Sequence, residues 1–215
     1  MASFVVPPRS ALLVVDMQND FMPGGALAVA GGDEIIDGVN ACMRQFFDAG
    51  AIVVLTQDWH PPCHASFASA HAGRHPYDQI TGILGIGPVL WPDHCVQGTR
   101  GADIHDRVEK NHAHLILRKG YHGQIDSYSA FMENDKKTPT GLAGFLKEKG
   151  INVVYICGLA FDYCVHYSAI DAVALGFNAS IFVDLSRAVG SPPGIVEIVK
   201  GSYAKQGCTL LRYMQ

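Results

Sequence analysis

The chain has 215 residues, 48% of them hydrophobic, and a formal net charge of -4. That length and apolar content can bury a large core, and without a basic cluster the charge offers no footprint for nucleic acid or an anionic membrane. Six dispersed cysteines suit a reducing compartment better than a disulfide scaffold. No apolar run reaches the length of a membrane span, and the N-terminal residues do not form a signal peptide. The expectation is a single domain over residues 1–215, intracellular and cytoplasmic, that acts on a small molecule.

The predicted elements alternate. Residues 11–15 read as an apolar strand, with Asp16 at its end. Asp33 can cap a helix that carries Ile35, Val39, Cys42, Met43 and Phe46 at helical spacing and stops at Gly50. A second strand, residues 52–56, leads to Asp58. Periodicity then fails from residue 60 to 101, a stretch rich in Gly and Pro that holds His60, His64, His71, His75 and His94. Its apolar and aromatic residues argue for a functional loop rather than disorder.

A third strand at 115–117 precedes Lys119, and residues 140–149 form a helix closed by Gly150. The fourth strand, 153–157, runs into a turn where Asp162 can cap a helix bearing Val165, Ala169, Ala172 and Val173 on one face. A strand at 179–183, a helix opened by Pro192-Pro193 and a strand at 209–211 complete the chain. Continuous apolar strands separated by helices predict an α/β fold of three layers, α/β/α, around a mainly parallel sheet.

Open parallel sheets bind ligands beyond the carboxyl ends of their strands, which draws Asp16, Asp58, Lys119 and Cys164 toward one crevice. Cys164 falls in the first turn of its helix, where unpaired N–H groups and the helix dipole favour a thiolate. A cysteine nucleophile needs a proton acceptor and benefits from a nearby cation, and Asp16 and Lys119 are of those types. Asp58 and His60 sit two apart on extended chain, so their side chains share a face and form half of a metal site. His94 or His64 can complete it, and such a set suits zinc, iron or manganese.

The segments Val14-Val15-Asp16-Met17-Gln18-Asn19-Asp20-Phe21, Thr56-Gln57-Asp58-Trp59-His60-Pro61, Trp91-Pro92-Asp93-His94-Cys95, Lys119-Gly120, Asp126-Ser127-Tyr128-Ser129-Ala130-Phe131 and Cys157-Gly158-Leu159-Ala160-Phe161-Asp162-Tyr163-Cys164 together resemble the nicotinamidases of the isochorismatase-like cysteine hydrolase superfamily. The resemblance spans nearly the whole chain in order. It implies hydrolysis of nicotinamide to nicotinate and ammonia through a thioester, with pyrazinamide as an analogue.

By that resemblance Asp16, Lys119 and Cys164 are a catalytic triad, and Asp58, His60 and His94 hold one divalent ion, zinc first and iron or manganese next. The ion is expected to hold the ring nitrogen of the substrate. Backbone N–H groups of Ala160, Phe161 and Cys164 would form the oxyanion hole, with a cis peptide between Ala160 and Phe161. Phe21 and Trp91 resemble the aromatic walls of the ring pocket. The resemblance leaves room for a homo-oligomer.

Two features depart from the family pattern: bulky Phe161 where threonine is common, and His64 close behind the Asp-x-His motif. Two other readings compete. One is a related amidohydrolase for another small amide or carbamoyl compound, and the other a non-catalytic metal or redox sensor.

Overall fold

The computed structural model describes residues 4–213. Six strands, β1 (Ser10–Val15), β2 (Ile52–Asp58), β3 (Leu115–Lys119), β4 (Val153–Leu159), β5 (Asn178–Arg187) and β6 (Thr209–Leu211), form one parallel sheet in the order β3-β2-β1-β4-β5-β6. The helices between them are α1 (Ile36–Asp48), α2 (Leu142–Glu148), α3 (Cys164–Ala174) and α4 (Ile195–Lys205). Every residue of β1 is buried, as a central parallel strand covered on both faces requires.

From β1 the chain steps outward through β2 to β3, returns past β1 to β4, and continues outward through β5 to β6. Right-handed crossovers put α1 on one face and α2, α3 and α4 on the other. The reversal makes the carboxyl ends of β1 and β4 a switch point, where an open sheet leaves a crevice. Asp16 directly follows β1, and Cys164 begins α3 just beyond β4. Strands β2 and β3 run past the apolar pattern to polar ends, Asp58 and Lys119, which are register partners. No helix among the described residues is long and apolar enough to cross a membrane.

Helix starts differ from the sequence reading. The residue before α1 is Ile35 and the one before α3 is Tyr163, and neither caps its helix with a side chain. Asp162 instead accepts the N–H groups of Val189 at 2.9 Å and Gly190 at 2.8 Å, which ties the β4–α3 turn to the segment after β5. Residues 60–101 are ordered without long elements. Isolated bridges join His60 to Val96, Phe67 to Trp91 and Gln79 to Val89, and Ala68, Ile80, Ile86 and Leu90 form a small core of their own.

Gly158, near the end of β4, has φ 110°. A Cβ there would lie 2.2 Å from the carbonyl oxygen of Val15 on the neighbouring strand. Gly158→Ala is therefore expected to destabilise the fold by on the order of 3 kcal/mol, through backbone strain and a collision that no rotamer relieves. Urea unfolding of the variant checks this, and an unchanged midpoint would count against the β1–β4 register.

Candidate active site

Four strand ends and one helix start converge at the switch point. Asp16 takes a left-handed conformation, φ 48°, immediately after β1. Its backbone N–H meets Thr56 Oγ1 at 3.1 Å, and the Thr56 hydroxyl donates to Asp16 Oδ1 at 2.6 Å, so the unusual turn is held from β2. Gln18 fixes the other end: its side-chain amide donates to the Asp58 carbonyl at 2.7 Å and accepts the Asp58 N–H at 2.7 Å.

Lys119 is the centre of the cluster. Its fully buried Nζ lies 2.9 Å from Asp16 Oδ2, 2.9 Å from Asp58 Oδ1, 2.9 Å from the Ser127 carbonyl and 3.5 Å from Cys164 Sγ. Burial alone would drive off its proton, but Asp16 and Asp58 outweigh burial and hold its pKa well above the ordinary lysine value. Burial raises Asp16, and Lys119 offsets this only in part. The thiol of Cys164 is likewise pushed well up by burial; Lys119 lowers it, whereas Asp16 and Asp58 raise it further. Burial and the two carboxylates thus work against the thiolate that the helix terminus and Lys119 favour, and the Lys119 ammonium donates to the sulfur.

The second cluster shares Asp58. Its Oδ1 is taken by Lys119, and Oδ2 faces His60 Nε2 at 3.3 Å and His94 Nε2 at 3.7 Å. Both imidazoles place Nδ1 2.8 Å from a backbone carbonyl, Gly120 for His60 and Pro92 for His94. A carbonyl can only accept, so each Nδ1 carries the proton and each Nε2 presents a lone pair toward Asp58. Three electron-pair donors thus converge within 4.8 Å of one another, a set that fits a divalent cation. Burial favours protonated Asp58, yet above all the Lys119 ammonium holds its carboxyl well below the usual range. Gly120, φ 69°, leaves the room this needs, since a Cβ would come within 2.6 Å of the His60 ring.

His64 lies beside His60, with ring centroids 4.4 Å apart, but both of its nitrogens are occupied. Nδ1 pairs with Ser66 Oγ at 2.7 Å, and Nε2 with the carbonyls of His122 at 2.9 Å and Ile125 at 3.2 Å. It supports the neighbouring ring and has no lone pair aimed at Asp58.

The turn before α3 differs from the expected one. The cis peptide joins Leu159 and Ala160, one residue earlier than expected. The Phe161 N–H donates to the Arg187 carbonyl at 2.7 Å, while the Ala160 carbonyl accepts from Tyr163 and Val165, so the Ala160–Phe161 peptide is engaged on both sides. Phe161 therefore has no donor for an oxyanion hole. The N–H groups of Ala160 and Cys164 donate to no carbonyl among the described residues.

Phe21 and Trp91 both line the pocket with Cys164, Asp58, His60 and His94. Tyr163 and Tyr128 extend the aromatic wall: Trp91 meets Tyr163 edge-on at 4.8 Å and donates its Nε1–H to the Tyr128 hydroxyl at 3.0 Å. Sequence reasoning had passed over both tyrosines and Asp126, although all three stand inside the quoted motifs.

A parallel sheet with a thiol, a carboxylate and an ammonium gathered at its switch point is the arrangement of an α/β enzyme built for covalent catalysis. The chain belongs to the isochorismatase family, whose domain matches residues 10–193. It is 54% identical over 180 residues to a nicotinamidase of Acinetobacter baylyi, covering 83% of this chain and 81% of that one. Its fold is similar to that of a nicotinamidase/pyrazinamidase of Acinetobacter baumanii, with TM-score 0.91, 46% identity and coverage of 96% and 97% of the two chains. It is also similar to a pyrazinamidase of Pyrococcus horikoshii in complex with zinc, with TM-score 0.74, 36% identity and coverage of 95% and 99%.

Proposed function

We propose that this chain hydrolyses the carboxamide of nicotinamide to nicotinate and ammonia, and accepts pyrazinamide as an analogue. The observation that carries the reading is the position of Lys119, whose one buried ammonium touches the proton acceptor, the thiol and the carboxylate of the metal set. Similarity to nicotinamidases supports the choice of substrate.

Cys164 Sγ attacks the carboxamide carbon while Asp16 takes the thiol proton. The N–H groups of Ala160 and Cys164 receive the developing oxyanion, and Lys119 balances the negative charge gathered at Asp16 and sulfur. The C–N bond breaks, Asp16 returns the proton to the departing nitrogen, and ammonia leaves a nicotinoyl thioester. Water then attacks the thioester carbonyl as Asp16 removes one of its protons, the C–S bond breaks with that proton passing to sulfur, and the nicotinic acid released ionises to nicotinate. Phe21, Trp91 and Tyr163 confine the ring to the geometry this attack requires. Asp58, His60 and His94 would hold one divalent ion, which we assign as zinc, and it would supply a Lewis-acidic anchor for the ring nitrogen. We place the activity in one domain spanning the chain and in the reducing cytoplasm, where six free thiols persist.

Ammonia release from nicotinamide, pyrazinamide and acyclic amides, before and after chelation and zinc restoration, tests the reading. Hydrolysis of the ring amides is expected to vanish on chelation and return with zinc. Acyclic-amide hydrolysis that survives metal removal would establish the metal-free amidohydrolase instead. Zinc content is expected to fall in His94→Ala far more than in His64→Ala, because of the two only His94 has a ring nitrogen free to ligate an ion beside Asp58. Elemental analysis of the two variants checks this, and the reverse order would reassign the third ligand.

A further inference from the structure

Asp126 lines the same pocket and has no part in the chemistry above. It is 2% exposed, and its two oxygens differ. Oδ1 accepts the N–H of Ser127 at 2.7 Å, whereas Oδ2 is enclosed with no hydrogen-bond partner. The residue is pinned on both sides of its backbone, its N–H bonded to the Gly85 carbonyl at 2.9 Å and its own carbonyl accepting the Asn134 N–H at 2.8 Å. A buried carboxylate oxygen held in this way needs a donor.

The two imidazoles that cluster with Asp126 have their N–H groups committed elsewhere. An oxygen of Asp126 lies within 4.8 Å of ring nitrogens of His60 and His64. The Nδ1–H of His60 is committed to Gly120, and both nitrogens of His64 are paired. Asp126 clusters with His60 but not with the full set of Asp58, His60 and His94. Ligands bound to one zinc at about 2.1 Å lie within about 4.2 Å of one another. Asp126 is therefore too remote to be a fourth direct ligand, yet close enough to reach a molecule bound to the ion.

We infer that Asp126 is a positioning residue of the metal centre, whose Oδ2 accepts a hydrogen bond from a water on the ion held by Asp58, His60 and His94. The inference rests on the metal reading above. It gives the pocket a second carboxylate that tightens ion retention and fixes one water beside the ring.

Asp126→Asn isolates this role. The amide oxygen keeps the bond to the Ser127 N–H and the pocket-facing oxygen becomes a donor, so a merely structural role survives the change. The test is zinc affinity of the metal-stripped protein, measured against a competing chelator without substrate, together with thermal unfolding in metal-free buffer. The dissociation constant for zinc is expected to rise roughly 10–100-fold, the usual effect of removing an outer partner of a metal site, with metal-free unfolding unchanged. A constant within two-fold of wild type overturns the inference, and so does an Asn variant that unfolds without metal where wild type stays folded. Wild-type protein that binds no zinc overturns the metal reading itself.

Discussion

Cys164→Ala is expected to lower nicotinamide hydrolysis by roughly 10⁴–10⁶-fold, the scale on which enzymes lose rate when the nucleophile is taken from a group that acts as a unit. The fold and the metal content should stay as they are. Cys164 is buried in the first turn of α3, and its removal strands no charge, because Lys119 keeps Asp16, Asp58 and the Ser127 carbonyl. None of the three residues of the metal set is disturbed. Steady-state ammonia release, circular dichroism and elemental analysis on one preparation separate lost chemistry from lost structure. Turnover above a tenth of wild type would show that sulfur is not the nucleophile.

Lys119→Met is expected to harm both stability and rate. It leaves the carboxylates of Asp16 and Asp58 buried without their cation, and breaking a buried ion pair from one side costs about 3–5 kcal/mol. The rate should fall at least roughly 10³-fold, as when a principal electrostatic stabiliser of a transition state is removed. The sign of the pH effect follows from Asp16. Burial raises its pKa and Lys119 pulls it down, so without Lys119 it rises further and Asp16 stays protonated to higher pH. A protonated Asp16 cannot take the thiol proton, so the acid limb of any residual kcat/KM profile should move to higher pH. A limb that stays in place, or moves lower, would contradict the contact between Lys119 and Asp16.

The site was largely legible in the sequence where it depends on strand ends. Asp16, Asp58, Lys119 and Cys164 each follow or close an apolar run, and a parallel sheet brings such positions to one edge. The two-residue spacing puts Asp58 and His60 on one face but is a weak sign of a metal site until the neighbouring motifs are read with it. The choice between His94 and His64 was not legible, because it turns on which ring nitrogens are bound by the carbonyls of Pro92, His122 and Ile125.

The same limit explains the missed details around Cys164. Asp162 has the chemistry of a helix cap but is claimed by N–H groups of Val189 and Gly190, and Phe161 looks like an oxyanion donor until Arg187 takes its N–H. Local pattern carries no trace of these distant partners. The balance at the thiol is hidden for a related reason: the helix start is visible in sequence, whereas the burial that pushes the thiol up belongs to the folded core.

Rapid acid quench during nicotinamide turnover, followed by intact-protein mass and peptide mapping, tests the covalent mechanism most directly. A nicotinoyl group is expected on the peptide that contains Cys164, formed before nicotinate appears and absent from Cys164→Ala. An acyl group on another residue, or full turnover with no acylated enzyme at any quench time, would contradict it.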